Sequence, residues 1–212
     1  MAESYDLRLK APFTMQIVGA SGCGKTRLTK DICEHAREII DPPSERIIFA
    51  YSEYQPMYEE MKDVEFVKGL EPSMISRENL RGKRTTLIID DLVDEIPISF
   101  LEALFVKVGH HRNLNIILLV HNLYYKNFRL IALSTHYYCI FRSSRDQSSI
   151  ATLGRQMFGS KYKYMVEAYE DAVKPNYGYL FIDLKPATNK LLRLRNNILP
   201  GKTTTCYNIK DG

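Results

Sequence analysis

The sequence predicts an α/β fold with a mostly parallel β-sheet and helices on both of its faces. Short apolar runs rich in β-branched residues alternate with segments of helical periodicity, and the connections between them are short. The predicted strands are 13–18, 46–51, 85–90, 115–120, 137–141, 178–183 and 191–195, and the predicted helices are 25–40, 98–108, 148–158 and 161–169. In such a sheet, ligands bind beyond the carboxyl ends of the strands.

The boundaries of these elements follow from local signals. The first helix carries apolar residues at helical spacing and ends at Asp41-Pro-Pro43, because proline cannot continue a helix. The helix 98–108 ends at Gly109, a residue typical of helix C-termini. The stretch 62–84 mixes short apolar runs with charged residues, and we assign no element there.

A glycine-rich loop joins the first predicted strand to the first predicted helix. Its sequence, Gly19-Ala-Ser-Gly-Cys-Gly-Lys25-Thr26, matches G-x-x-x-x-G-K-T in the strand and helix context that a phosphate-binding loop requires. Glycines allow the chain to curl around phosphates, and the helix N-terminus adds unpaired amides. The alternative is a glycine-rich turn that binds nothing. We expect a P-loop NTPase fold of the RecA/ASCE-like class, with the phosphates of a nucleoside triphosphate bound by Gly19, Ser21, Gly22, Cys23, Gly24, Lys25 and Thr26.

Within this loop, individual side chains have distinct expected roles. Lys25 should contact the β and γ phosphates, and the Thr26 hydroxyl should bind the Mg²⁺ ion that bridges them. Cys23 has two interpretations: a thiol whose pKa is lowered by the helix N-terminus, or an incidental small residue, which we favour.

Two carboxylates end the predicted strand 85–90. Asp90 can hold Mg²⁺, and Asp91 can orient or activate the attacking water. The alternative is an ordinary acidic turn, since this pattern alone is weak. At the end of the strand 115–120, Asn122 either senses the γ phosphate or is a turn residue, and the sequence leaves both open.

Length and composition predict one domain, residues 1–200, followed by a polar tail, 201–212. Four cysteines without C-x-x-C spacing fit a reducing compartment, and we expect neither a secretion signal nor a membrane segment. Charge is uneven: residues 1–141 hold 17 Lys+Arg and 19 Asp+Glu, whereas residues 142–212 hold 12 and 6. A basic final third is compatible with a polyanionic partner, although solvated basic faces are common.

Several stretches together resemble the DNA-packaging ATPases of the FtsK–HerA superfamily, particularly those of polinton and adintovirus elements and, more distantly, of poxviruses. The likeness spans about residues 12–200. It is carried by the phosphate loop with Pro12-Phe-Thr-Met, Leu87-Ile-Ile-Asp-Asp, His110-His-Arg-Asn, His121-Asn122, Phe141-Arg-Ser-Ser-Arg-Asp, Gly154-Arg-Gln-Met-Phe and Tyr177-Gly-Tyr-Leu-Phe-Ile-Asp-Leu-Lys-Pro.

The resemblance implies a hexameric or pentameric ring that hydrolyses ATP and drives double-stranded DNA into a capsid, docked on capsid or portal vertex proteins. It places the protein inside the host cell, in the nucleus or at the virus assembly site, and implies that the protein is not secreted. Association with the virion is left open. Lys25, Asp91 and Asn122 match its catalytic positions, although much of the superfamily has Glu at the second acid and Gln at the strand end. Arg112 matches the arginine finger that reaches a neighbouring subunit, with Arg142, Arg145 and Arg155 as competitors.

DNA contact should be to phosphates, since a packaging motor must accept any sequence. The candidate segments are Lys161-Tyr-Lys-Tyr164 and Arg142–Arg155. Three other functions share the same core: a translocating motor in replication or DNA transfer, a P-loop kinase, and a binding module that uses ATP only to dock on a partner.

Overall fold

The computed structural model describes residues 5–108, 113–125, 127–144 and 147–208. Its strands are β1 Leu9–Lys10, β2 Thr14–Val18, β3 Ile40–Asp41, β4 Arg46–Tyr51, β5 Glu65–Lys68, β6 Thr85–Asp90, β7 Leu114–Val120, β8 Tyr137–Phe141, β9 Tyr179–Asp183, β10 Leu194–Arg195 and β11 Cys206–Tyr207. Its α-helices are α1 Lys25–Glu34, α2 Ala36–Ile39, α3 Arg77–Leu80, α4 Ile98–Ala103, α5 Arg129–Leu133, α6 Gln147–Phe158 and α7 Lys163–Ala172. Four short 3₁₀ segments, Pro56–Glu60, Pro72–Ile75, Gly159–Lys161 and Lys190–Leu192, and one π-helical segment, Leu104–Val108, complete these elements.

Nine of these strands form one sheet in the order β11-β10-β9-β8-β2-β7-β6-β4-β5. The six from β8 to β5 run parallel, and β9, β10 and β11 are added antiparallel at one side. β7 lies between β2 and β6, so the strand that precedes the glycine-rich loop and the strand that ends at Asp90 are separated by one strand. All three have their carboxyl ends at the same edge.

Helices cover both faces of the sheet, as the sequence predicts. Successive strand residues point to opposite faces. Leu87 and Leu118 belong to a core with residues of α4 to α7, whereas Ile88 and Ile117 pack with α1, α2 and Tyr58 on the other face. Burial of these two apolar layers is what holds the carboxyl ends of the strands in a fixed arrangement.

Three elements differ from the sequence prediction. The predicted helix 25–40 is interrupted at His35, and its last residue, Ile40, pairs with Leu9 in the small sheet β1–β3. The helix 98–108 changes from α to π geometry at Leu104. The predicted strand 191–195 is shortened to β10, because Lys190–Leu192 forms a 3₁₀ turn.

Part of the expected polar tail 201–212 joins the sheet. β11 pairs with β10, and the Thr205 backbone N–H donates to Asn196 Oδ1 at 2.9 Å. The Tyr207 hydroxyl donates to Asp171 at 2.9 Å. Residues 209–212 lie outside the described ranges. In the part of the chain that the structure describes, no helix has the length and apolar character to cross a membrane.

Candidate nucleotide site

The glycine-rich loop leaves β2 at Val18 and enters α1 at Lys25. Gly24, just before the helix, has φ 110°, in the left-handed region, and a methyl group on its Cα would lie 2.8 Å from the Tyr177 ring. A methyl group on Gly19 would lie 2.5 Å from Cys23 Sγ. No side chain caps the N-terminus of α1. The loop therefore presents backbone amides at a helix N-terminus, the arrangement that binds phosphate.

Lys25 is buried, with 9% of its surface exposed, although it is a lysine. Its ammonium donates to the Gly19 carbonyl at 2.6 Å and to the Ala20 carbonyl at 3.3 Å. These bonds hold the charge inside the curve of the loop, where a phosphate would contact it. Cys23 is half-buried, and burial raises the pKa of its thiol, so the structure favours the interpretation of Cys23 as an incidental small residue.

Asp90 ends β6 and is 5% exposed. Its carboxylate accepts a hydrogen bond of 3.0 Å from the Tyr58 hydroxyl. Burial raises the pKa of Asp90, and the Tyr58 hydrogen bond and the Lys25 charge act in the opposite direction. A positive ion beside this carboxylate would offset the cost of burying its charge.

Asp91 differs sharply from its neighbour in environment. Its backbone has φ 56°, and its side chain is 69% exposed. The Asp91 carboxylate lies 3.2 Å from His121 Nε2, at the carboxyl end of β7. The end of β6 thus separates a buried carboxylate from one that faces solvent.

These side chains surround one cavity of about 510 Å³ at the carboxyl edge of the sheet. Its lining includes Ser21, Gly22, Gly24, Lys25, Thr26, Asp90 and Asp91, all proposed from the sequence. It also includes Arg27, Gln55, Met57, Leu119, His121 and Tyr177, which sequence reasoning did not propose as site residues. Asn122 is exposed and is not one of the lining residues, whereas His121 is. A one-residue shift at a strand end reverses the direction of a side chain, so the pattern alone could not choose between them.

The oxygen ligands available to a metal fit Mg²⁺ better than a transition metal. Thr26 and Asp90 both line the cavity, and hydroxyl and carboxylate oxygens suit a hard cation that keeps several waters. Among the described residues, no group of three or more His, Cys, Asp or Glu side chains converges as a self-sufficient metal site.

Of the arginines proposed from the sequence, the two that the structure describes, Arg142 and Arg155, do not line this cavity. Arg112 and Arg145 lie outside the described residues. Arg142 is exposed and follows β8, at the same edge of the sheet as the loop, while the Arg155 guanidinium lies 4.3 Å from the Tyr162 ring centre. In the described part of the chain, the one arginine that lines the cavity is Arg27.

Comparison with known proteins gives no match to any family model and none to a curated protein sequence. Solved structures do match. The genome packaging NTPase B204 of Sulfolobus turreted icosahedral virus 2, in complex with ATP-γS, is 16% identical with a TM-score of 0.52 over 83% of this chain and 94% of that chain. The same protein in complex with AMPPCP is 17% identical to this chain, with a TM-score of 0.50. The chain has a P-loop NTPase fold.

A second P-loop structure supports the same fold over more of this chain. The cytoplasmic domain of the type VII secretion ATPase EccC from Thermomonospora curvata is 13% identical with a TM-score of 0.58, over 91% of this chain and 26% of that one. Identities this low establish the P-loop fold alone. The roles of individual residues depend on the geometry of the site itself.

Proposed function

We propose that this protein is an ATPase that converts ATP and water to ADP and phosphate. The observation that carries the proposal is the convergence of Lys25, Asp90 and Asp91 on one cavity at the N-terminus of α1. The likeness in fold to a viral genome packaging NTPase solved with ATP-γS and AMPPCP supports the choice of nucleotide.

In this proposal each side chain has a separate task. Loop amides and the Lys25 ammonium bind the β and γ phosphates, and Thr26 and Asp90 would hold Mg²⁺, which neutralises phosphate charge when bound. Asp91 accepts a proton as water attacks the γ phosphorus, and the bond to the β-phosphate oxygen breaks with its electron pair on ADP. The 3.2 Å contact with His121 orients Asp91 for this step.

The motor function proposed is translocation of double-stranded DNA into a viral capsid, within the FtsK–HerA superfamily. The fold shared with B204 and the basic final third of the chain support it. Lys161 and Lys163 are exposed, while Tyr164 packs against Phe158 and Tyr162 lies under Arg155. Exposed lysines fit contact to DNA phosphates.

We infer a ring of identical subunits, in which a neighbouring copy supplies the arginine that the site requires. Arg27, which lines the cavity, already lies over the Tyr177 ring. A second copy would supply Arg112 or one of its three competitors to the γ phosphate, which makes hydrolysis depend on assembly. We place the activity inside the host cell, with capsid or portal vertex proteins as docking partners.

The test is ATP turnover of the purified chain, with and without duplex DNA, alongside mass determination in ATP. We expect release of inorganic phosphate that increases with DNA and with assembly. A kinase would instead transfer phosphate to an acceptor, and a docking module would bind ATP without turnover. An assembled, folded protein that releases no phosphate with or without DNA would refute the proposal.

A further inference from the structure

A second cavity, of about 260 Å³, adjoins the cavity that contains Lys25 and the two carboxylates. The two cavities share Gly24, Arg27 and Tyr177 as lining residues. Asp90 and Asp91 line only the first, whereas Asn176, Asn196 and Lys202 line only the second. A molecule with phosphates at the loop therefore has room to continue past Arg27 and Tyr177.

The topology explains why Tyr177 reaches this edge. β9 runs antiparallel to β8, with Phe141 paired to Tyr179, so β9 begins where β8 ends. Tyr177 comes two residues before β9, in a turn closed by the Gly178 N–H donating to the Pro175 carbonyl at 2.9 Å. Its ring sits against Gly24, and the Arg27 guanidinium lies 5.0 Å from the ring centre.

The cation–π pair with Arg27 does not by itself offset the backbone strain of Tyr177. Tyr177 is 55% exposed and has φ 61°, a conformation that is strained for a bulky side chain. An exposed cation–π pair is worth less than such strain costs. Residues with strained backbone conformations are concentrated at ligand-binding sites, where the strain is part of the binding geometry.

We propose that the Arg27–Tyr177 pair is the nucleobase subsite of this cavity, an assignment that rests on the proposed ATPase function. Every nucleobase has a π face that stacks on a tyrosine ring or a guanidinium plane. The pair is placed between the phosphate loop and the second cavity, which receives the base. The α1 helix thus contributes Lys25 and Thr26 to phosphates and metal, and Arg27 to the base.

The first experiment compares ATP with tripolyphosphate, which has no base, by isothermal titration calorimetry with Mg²⁺. Tyr177→Ala should weaken ATP binding about 5- to 100-fold and leave tripolyphosphate binding unchanged. Tyr177→Phe, which keeps the ring, should bind ATP like the wild type. Tyr124→Ala is the matched control, because Tyr124 is 42% exposed and lines a different cavity.

Each outcome decides the assignment. If Tyr177→Ala weakens the binding of both ligands equally, or leaves ATP binding unchanged, the base subsite is overturned and the ATPase proposal remains intact. Wild-type protein that binds neither ligand overturns both proposals together.

A second variant does not depend on loss of binding. The chain contains no tryptophan, so Tyr177→Trp introduces a single indole at the proposed subsite. ATP should quench its fluorescence at saturation, whereas tripolyphosphate should not. Equal responses to the two ligands, or no response to ATP at concentrations that calorimetry shows to be saturating, contradict the proposal.

Discussion

The hydrogen bond between Tyr58 and Asp90 connects the stability of the fold to the site. Tyr58→Phe removes the hydroxyl that donates to the buried Asp90 carboxylate at 3.0 Å, but keeps the ring that packs 4.8 Å from Phe49 and 5.1 Å from Phe66. A hydrogen bond to a buried charged group is worth about 1.5–3 kcal/mol. For a domain of this size, that corresponds to a fall in melting temperature of roughly 3–12 °C.

The measurement is thermal unfolding at neutral pH without nucleotide, monitored by circular dichroism. Tyr54→Phe is the control, since Tyr54 is 52% exposed and its hydroxyl lies 3.5 Å from Glu59. We expect that control to change stability by less than about 0.5 kcal/mol. In an Asp90→Asn background the loss on Tyr58→Phe should shrink, because a neutral pair contributes only about 0.5–1.5 kcal/mol.

Tyr58→Phe should also shift the pH dependence of stability and of ATP turnover in a defined direction. Burial raises the pKa of Asp90 above its unfolded value, so the folded chain loses stability as pH rises from the unfolded pKa through the higher folded pKa. The Tyr58 hydroxyl lowers the pKa of Asp90, so Tyr58→Phe raises it further. The acid limb of ATP turnover should therefore move to higher pH. An unchanged acid limb, together with a melting temperature equal to that of Tyr54→Phe, would show that this hydrogen bond neither stabilises the fold nor lowers the pKa of Asp90.

Three further predictions concern the nucleotide site. Lys25→Ala should abolish ATP binding or turnover, measured by calorimetry and phosphate release, and unchanged turnover would remove the site assignment. Asp91→Asn should still bind ATP but hydrolyse it about 10²- to 10⁴-fold more slowly in single-turnover assays; brisk turnover contradicts its role as base. Mixing Arg112→Ala with Lys25→Ala subunits should restore part of the activity at shared interfaces, whereas no recovery in confirmed mixed assemblies counts against an arginine supplied in trans.

Features that depend on neighbouring residues could be predicted from the sequence. The glycine-rich loop is short and lies between a strand and a helix, so its position at the carboxyl edge followed directly from the pattern. The α/β class and the coverage of both sheet faces are confirmed. β5 was not predicted, because it is an edge strand with exposed charged residues at both ends and no alternating apolar pattern.

Features that depend on distant contacts could not be predicted. Tyr58 meets Asp90 across 32 positions, and Tyr177 meets Gly24 through the antiparallel pairing of β8 and β9. The sequence predicts β9 and β10 as strands and β11 as part of the polar tail. Nothing in the local sequence gives the direction in which these strands run. Only the order of strands brings His121 to Asp91 and Tyr177 to the loop.

Asp90 and Asp91 are adjacent and chemically identical, so their environments must decide their roles. The buried carboxylate of Asp90 accepts a hydrogen bond from Tyr58, so its position is fixed and it is shielded from solvent. These properties suit a metal ligand. The exposed carboxylate, beside His121, is accessible to water, but an open site also weakens every electrostatic interaction in it. A neighbouring subunit that covers Asp91 would exclude water and bring an arginine to the γ phosphate in one step. The exposure of Asp91 is thus the structural reason to expect that the isolated chain is a poor ATPase and that assembly completes it.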